Sequence, residues 1–319
     1  MYFESSQLVF SPSDLTQFMD SPFASWMEHL GITNPDLLPR PDENDELVDV
    51  LQSLGKQHEL GVLTSFQETG LTVANLLKQS ESFNATKAAM QIGVDVIYQA
   101  HLELPPFRGY ADFLLKTQGK SIFGDYQYEV WDTKLAKSVK PYFLVQLCCY
   151  AEMLEAIQGT KSEYITVVLG NKEHKQYRTA DYYYFYQNLK QQFLSTHQKF
   201  NPFSRPDSAS SKNWGRWSNY AEDLLVKADH LIQVATITSG QIKKLYKAGI
   251  NTMTALANAD CKMIKGIKPE QFERLKAQAK IQKESIGKDI PSYQLIPNGE
   301  GKKQGLALLP PLSQQDIFF

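Results

Sequence analysis

Apolar positions along the chain change period several times, and the changes mark out its elements. The opening stretch LVFSPSDLTQFMDSPFASWMEHL carries Leu15, Phe18 and Met19 at helical spacing, with Ser13 placed to act as an N-cap. Residues 35–49 form an acidic loop interrupted by prolines. Residues 47–68 regain a helical period, which Gly55 and Gly61 are expected to break or kink, and another helix fits 82–90. From there the period shortens. GVDVIYQAHLEL (93–104), FRGYADFLLK (107–116) and YQYEVWDTKLA (126–136) are rich in β-branched and aromatic residues and read as strands. A helix over 141–158, a buried strand over 163–170, a hairpin partner over 175–180 and a helix over 182–200 follow.

Residues 201–213 (NPFSRPDSASSKN) offer little to bury and read as a linker. Beyond them the pattern is helical throughout: a domain over 214–285, then an irregular segment over 286–319. That segment ends in the apolar, strand-like LSQQDIFF, which is expected to lead into a further domain. The fold class expected is α/β, an αβββαβ core with an all-helical domain after it.

Composition changes this picture little, but charge distribution changes it more. The 319 residues suffice for two cores, and the net charge of −2 names no partner. Residues 1–60 hold 11 acidic and 2 basic side chains, whereas 238–303 hold 13 basic and 6 acidic. The second region suits a polyanion, or is simply a solvated lysine-rich surface. Three cysteines, Cys148, Cys149 and Cys261, make no disulfide framework and fall short of an all-cysteine iron–sulfur cluster. MYFESSQ is not a signal peptide and no apolar run is long enough to span a bilayer. A cytoplasmic protein with no membrane partner is expected.

The chemistry concentrates near YEVWDTK. Asp132 and Lys134 are two apart on a strand and therefore share a face. If the preceding hairpin turns near Ser121–Ile122, Asp112 lies opposite Trp131, within one residue of Asp132. Two carboxylates and an ammonium would then occupy one patch of sheet. A divalent cation such as Mg2+, which takes hard oxygen ligands, would relieve the repulsion. Lys134 would then orient or deprotonate an attacking water, or neutralise charge developing on phosphorus. The alternative is an ordinary Asp132–Lys134 salt bridge with Asp112 in an unrelated turn. On the next helix Gln146 and Tyr150 lie one turn apart and are either phosphate or base contacts or half-buried polar groups. His58 sits within the 47–68 helix, where a lone histidine is most often a packing or surface residue.

Taken in order, Gly55-x-x-His58, Gly109-Tyr-Ala-Asp112, Asp132-Thr-Lys134 and Gln146-x-x-x-Tyr150 resemble the PD-(D/E)XK nuclease superfamily, in particular its RecB-like branch. The resemblance spans about residues 8–200 and assigns a nuclease domain to 1–200. It implies metal-dependent attack of water on a phosphodiester, in DNA repair, recombination or defence. It carries His58, Asp112, Asp132 and the Thr133 carbonyl over as ligands for Mg2+ or Mn2+, Lys134 as the catalytic lysine, and Gln146 and Tyr150 as DNA-facing residues. Substrates with single strands or free ends are implied, and relatives of this kind are fused to helicase or further exonuclease-like domains. The chain departs from the branch at SDLTQFMDSP, where Ser21 precedes Pro22 in place of a cysteine and no later cysteine cluster exists. No iron–sulfur cluster is therefore expected.

Residues 239–280 resemble a helix-hairpin-helix module, in which a glycine turn offers backbone N–H groups to a DNA phosphate. Gly266 would form that turn, with Lys265 and Lys268, and Lys262 beside them, adding salt-dependent affinity. A connector made of packed helices is the alternative. Trp214, Arg216 and Trp217 would either stack on single-stranded bases or anchor the helical part. For the whole chain, the alternative to a nuclease is a non-catalytic nucleic-acid-binding or scaffold module that retains the fold.

Overall fold

A computed structural model describes residues 1–43, 46–79, 81–211, 213–294 and 308–309. The LSQQDIFF stretch, on which the expectation of a further domain rested, lies outside the described residues. Contacts group the chain into two compact units, Met1–Leu224 and Leu225–Phe319. Among the described residues no helix is long and apolar enough to cross a membrane.

The first unit is mixed α/β. It opens with a hairpin of β1 (Tyr2–Glu4) and β2 (Gln7–Val9), which periodicity alone did not reveal. Helices α1 (Pro12–Asp20), α2 (Pro22–Thr33) and α3 (Glu46–Glu68) follow. The cap of α1 is Ser11 rather than Ser13, because Pro12 is pre-set for the first helical position. Asp14 closes a capping box there, its Oδ2 accepting from Ser11 N at 2.7 Å. Ser21 caps α2, its Oγ accepting from Ala24 N at 3.1 Å. Helix α3 runs unbroken through Gly55 and Gly61, contrary to the expected kink. A glycine lowers helix stability by about 1 kcal/mol but leaves the backbone ladder intact.

A six-stranded mixed sheet forms the centre, in the order β3 (Val73–Asn75), β4 (Val96–Leu104), β5 (Phe107–Ser121), β6 (Gly124–Lys134), β7 (Tyr164–Leu169) and β8 (His174–Arg178). Helix α4 (Ser82–Gln91) links the parallel pair β3–β4, and α5 (Pro141–Gln158) links the parallel pair β6–β7. The other neighbours are antiparallel. Helix α6 (Thr179–Gln198) follows β8.

One sheet face packs on α3, with Val96, Tyr98, Phe113 and Val168 against Val62, Leu63 and Phe66. The other carries the larger core, where Ile97, Leu102, Leu114 and Val130 meet Leu147, Ala151 and Leu154 of α5 and Phe193 of α6. Gly109 is held to glycine by crowding. A Cβ there would stand 2.9 Å from Pro12 Cδ and 3.1 Å from the Tyr150 ring.

The segment 201–213 is not a free linker. Ser208 and Ser211 are buried, Trp214 Nε1 donates to the Ser208 carbonyl at 2.8 Å, and Asn213 donates to Asp20 at 2.9 Å. Trp217 is fully buried against Phe23, Trp26 and Leu30 of α2, and Arg216 forks onto Glu28. This trio is therefore committed to packing on α2 rather than presented for base stacking. Helix α7 (Ser218–Lys227) follows, and the division between units falls inside it.

In the second unit the described helices are α8 (Ser239–Lys247), α9 (Met253–Ala257) and α10 (Pro269–Ser285). Leu231, Leu245, Leu256, Phe272 and Leu275 form its own core. Gly249 and Gly266 make its turns at φ +80° and +85°, a region that favours glycine. Asp229 ties α9 to α10, accepting from Thr254 N at 2.8 Å and pairing with Lys283 at 3.2 Å.

Candidate functional site

The site forms where the antiparallel ladder of β5 and β6 opens. Its last registered pair at this end is Phe113 with Trp131, one step from the expected register, so Asp112 comes level with Asp132. Beyond that pair β6 stays bonded to β7, but its Thr133 N–H finds a side chain rather than a strand on the β5 side. Asp112 Oδ2 accepts from both the Thr133 N–H and the Thr133 hydroxyl, each at 2.8 Å. The carboxylate thus satisfies a backbone donor that the opened ladder leaves over.

Asp132 is 2% exposed, and Lys134 Nζ lies 2.6 Å from its Oδ2. No donor meets that oxygen in hydrogen-bond alignment among the described residues, so the ion pair stands alone. Burial raises the Asp132 pKa; Lys134 opposes the rise and Asp112 adds to it. For Lys134, burial disfavours the ammonium, but Asp132 and Asp112 outweigh it and the net shift is upward. Two acids and one amine therefore feel one another at short range.

A cavity of about 590 Å3 opens onto this cluster. Asp112, Asp132, Thr133 and Lys134 of the sheet, with Gln146 of α5, line one side. Asp49, Lys56 and Glu59 of α3 line the other, at spacings that share one helical face. Glu59 was not singled out by sequence reasoning. Its pKa is raised by burial and then by the charge of Asp112, against hydrogen bonds from Tyr98 and Gln99 and the charge of Lys134. Gln99 Nε2 donates to Glu59 Oε1 at 2.5 Å.

The structure brings together Asp112, Asp132, Thr133, Lys134 and Gln146, but not the other residues expected beside them. His58 does not line the cavity; its Nε2 lies 3.4 Å from the Val168 carbonyl oxygen. Successive helical residues point about 100° apart, so Glu59 facing the cavity turns His58 aside. Tyr150 is 5% exposed and donates to the Tyr110 carbonyl at 2.8 Å, bracing β5 rather than facing a ligand. Among the described residues no three His, Cys, Asp or Glu side chains stand close enough to form a ready ligand group. The donors are nonetheless hard oxygens, the chemistry a hard divalent cation takes, although Lys134 Nζ already lies on Asp132 Oδ2. Cys148 and Cys149 are buried in α5, and Cys261 is exposed in the second unit.

In the second unit Lys262, Lys265 and Lys268 are exposed around the Gly266 turn. Lys244 Nζ donates to the Gly266 carbonyl at 2.6 Å and closes that turn from the side of α8.

The chain matches no family model, and no curated protein matches it.

Proposed function

We propose that this chain is a metal-dependent nuclease that hydrolyses DNA phosphodiesters from the cavity between α3 and the open end of β5–β6. The reading rests on one observation: a nearly fully buried aspartate paired to a lysine, with a second aspartate beside it, at the wall of an open cavity. A buried cluster of this charge has no packing value of its own, and perturbed carboxylates in a cleft are the arrangement acid–base chemistry uses.

Asp112 and Asp132 are the residues to hold Mg2+ or Mn2+. The Thr133 carbonyl and His58 are assigned to the same task only by the resemblance to RecB-like nucleases. When bound, the cation would act as a Lewis acid on the phosphoryl oxygen and raise the acidity of the attacking water. Lys134, whose charge is stabilised by both acids, supplies a positive group where negative charge builds on phosphorus. Gln146, half-buried at the cavity wall, offers an amide to a phosphate oxygen. In the second unit Lys265 and Lys268, with the Gly266 turn, are proposed to hold backbone phosphates without reading bases.

Cleavage of end-labelled single-stranded DNA, duplex DNA and RNA with Mg2+ or Mn2+ tests this. Asp132→Ala and Lys134→Ala should each abolish cleavage while leaving a folded protein. Retained cleavage by either purified variant overturns the reading. A second reading, a non-catalytic nucleic-acid-binding or scaffold module, draws support from the direct Lys134–Asp132 contact, which already compensates one charge. A wild-type chain that binds neither Mg2+ nor Mn2+ would favour it.

A further inference from the structure

We propose that a groove between α1 and the start of α5 takes an unpaired nucleobase of the bound strand, stacked on Tyr142 with its phosphate on Lys140. The proposal rests on the nuclease reading above and deepens it by assigning a subsite beside the reacting centre.

Position makes the first argument. Tyr142 and Lys134 rest on the same ring: Lys134 Nζ lies 5.5 Å from the Phe143 centroid, and the Tyr142 ring lies 4.6 Å from it at an interplanar angle of 78°. The aromatic is therefore one ring away from the ion pair with Asp132. Phe143 covers at most one face of Tyr142, and the residue is 38% exposed. An aromatic face left open beside a phosphate-handling centre is a platform for a base. A paired base keeps both faces against its stacked neighbours, so only an unpaired one can use it.

The groove makes the second. It encloses about 660 Å3 and is lined by Tyr142 and Lys140 together with Thr16, Gln17 and Asp20 of α1. Ligand clefts span about 300–1,000 Å3. Charge then orients the nucleotide. Residues 133–151 carry Lys134, Lys137 and Lys140 and no carboxylate, so the link from the reacting centre to Tyr142 bears only positive charge. Two carboxylates line the groove itself, Asp14 and Asp20. Asp14 is held by the N-terminal ammonium at 2.8 Å and by Ser11, and Asp20 accepts from Asn213 at 2.9 Å. They repel a phosphate but can accept from the amino group of a base. The phosphate is thus left to Lys140 and the base to the groove. Lys140 Nζ now stands 5.9 Å from the Tyr142 centroid. Because Lys140 is exposed, it can swing to a phosphate and yield the ring, and a base stacks there more strongly than an exposed ammonium does.

Fluorescence anisotropy of two labelled oligonucleotides of equal length tests this, one intact single-stranded DNA and one with every base removed. EDTA is present, so neither cation nor cleavage enters the measurement. Wild type should prefer the intact strand by about fivefold or more, and Tyr142→Ala should lose most of that preference. Tyr142→Phe should keep the preference within about twofold of wild type, since the ring face remains. The salt slope should be unchanged in Tyr142→Ala but fall by about 0.7 in Lys140→Ala, which loses one phosphate contact. If Tyr142→Ala does not fold, Tyr142→Leu takes its place, filling the space against Phe143 without an aromatic face. A full preference for the intact strand in the Tyr142 variant, or equal binding of both strands by wild type, overturns the proposal and leaves the metal-dependent reading standing. Cleavage by Asp132→Ala overturns that reading, while a preference that depends on Tyr142 still upholds the groove as a binding site. A wild type that neither binds nor cleaves single-stranded DNA overturns both.

Discussion

A buried carboxylate is costly unless its charge is compensated, and β6 buries two of them three residues apart. Asp132 has Lys134. Glu129, 5% exposed, has no cation paired to it among the described residues: burial first, and then the charge of Glu163, raises its pKa to about 7 against a single backbone hydrogen bond from Tyr164. The protonated form is therefore the one the fold accommodates. Because the folded pKa exceeds the ordinary value of 4.5, this stability is complete below about pH 4.5 and is lost as pH rises through about 7. Glu129→Gln should flatten that decline and raise stability at pH 8 by about 1–3 kcal/mol, read from urea midpoints across the pH range. The two acids differ in role although both lie in one strand. That Glu129 points away from Asp132 was legible from the odd spacing. That Glu129 is buried without a cation was not, because burial depends on what covers the far face.

Pairs of elements carry the next set of expectations. Helices α2 and α6 meet through two buried imidazoles, with His29 Nδ1 2.7 Å from His197 Nδ1 and His197 Nε2 3.0 Å from Ser25 Oγ. One Nδ1 must donate and the other accept, so the contact requires at least one neutral ring. Burial lowers both pKa values to about 4, with His29 depressing His197 further. Folded pKa values below the ordinary 6.5 mean stability present above pH 6.5 and lost as pH falls toward 4. His29→Phe, which keeps the stacking on Phe200, should remove part of this acid sensitivity, visible as a higher melting temperature at pH 5 relative to wild type. A second element-level test is Gly109→Ala. The added methyl would press on Pro12 and Tyr150, and should cost about 1–3 kcal/mol by forcing α1 or α5 outward.

Across the whole molecule, the second unit has a hydrophobic cluster of its own, so it is expected to carry its own stability. A fragment spanning 228–294 should give a helical circular dichroism spectrum and a cooperative melt, because Leu231, Leu245, Leu256 and Phe272 belong to one hydrophobic cluster within this unit. If the second unit holds phosphates as proposed, Lys265→Ala with Lys268→Ala should reduce the logarithmic salt slope of DNA binding by about 1.8, or about 0.9 per lost contact. The double variant should bind all sequences more weakly to a similar degree.

Reading the chain by period alone located α5, the β4–β5–β6 meander and the Asp132–Lys134 pair, because those features follow from local alternation and capping. Three-dimensional structure decided the rest. Ser208 and Ser211 look like linker residues in the sequence yet are buried in the fold, and whether Trp217 stacks on bases or anchors is decided by the α2 surface it packs on. His58 and Glu59 are adjacent in sequence, and only the docking of α3 on the sheet determines which of them faces Asp112. Gln99, inside β4 at φ +54°, breaks the strand's alternation, with Tyr98 under α3 and both Ile97 and Ala100 in the opposite core, and no alternation rule foresees the point where alternation fails. Local sequence determines which side chains share a strand or a helical face, because the backbone period is local. Which faces meet at one cavity is determined by strand register and helix docking, and those arise only when distant parts of the chain bury one another.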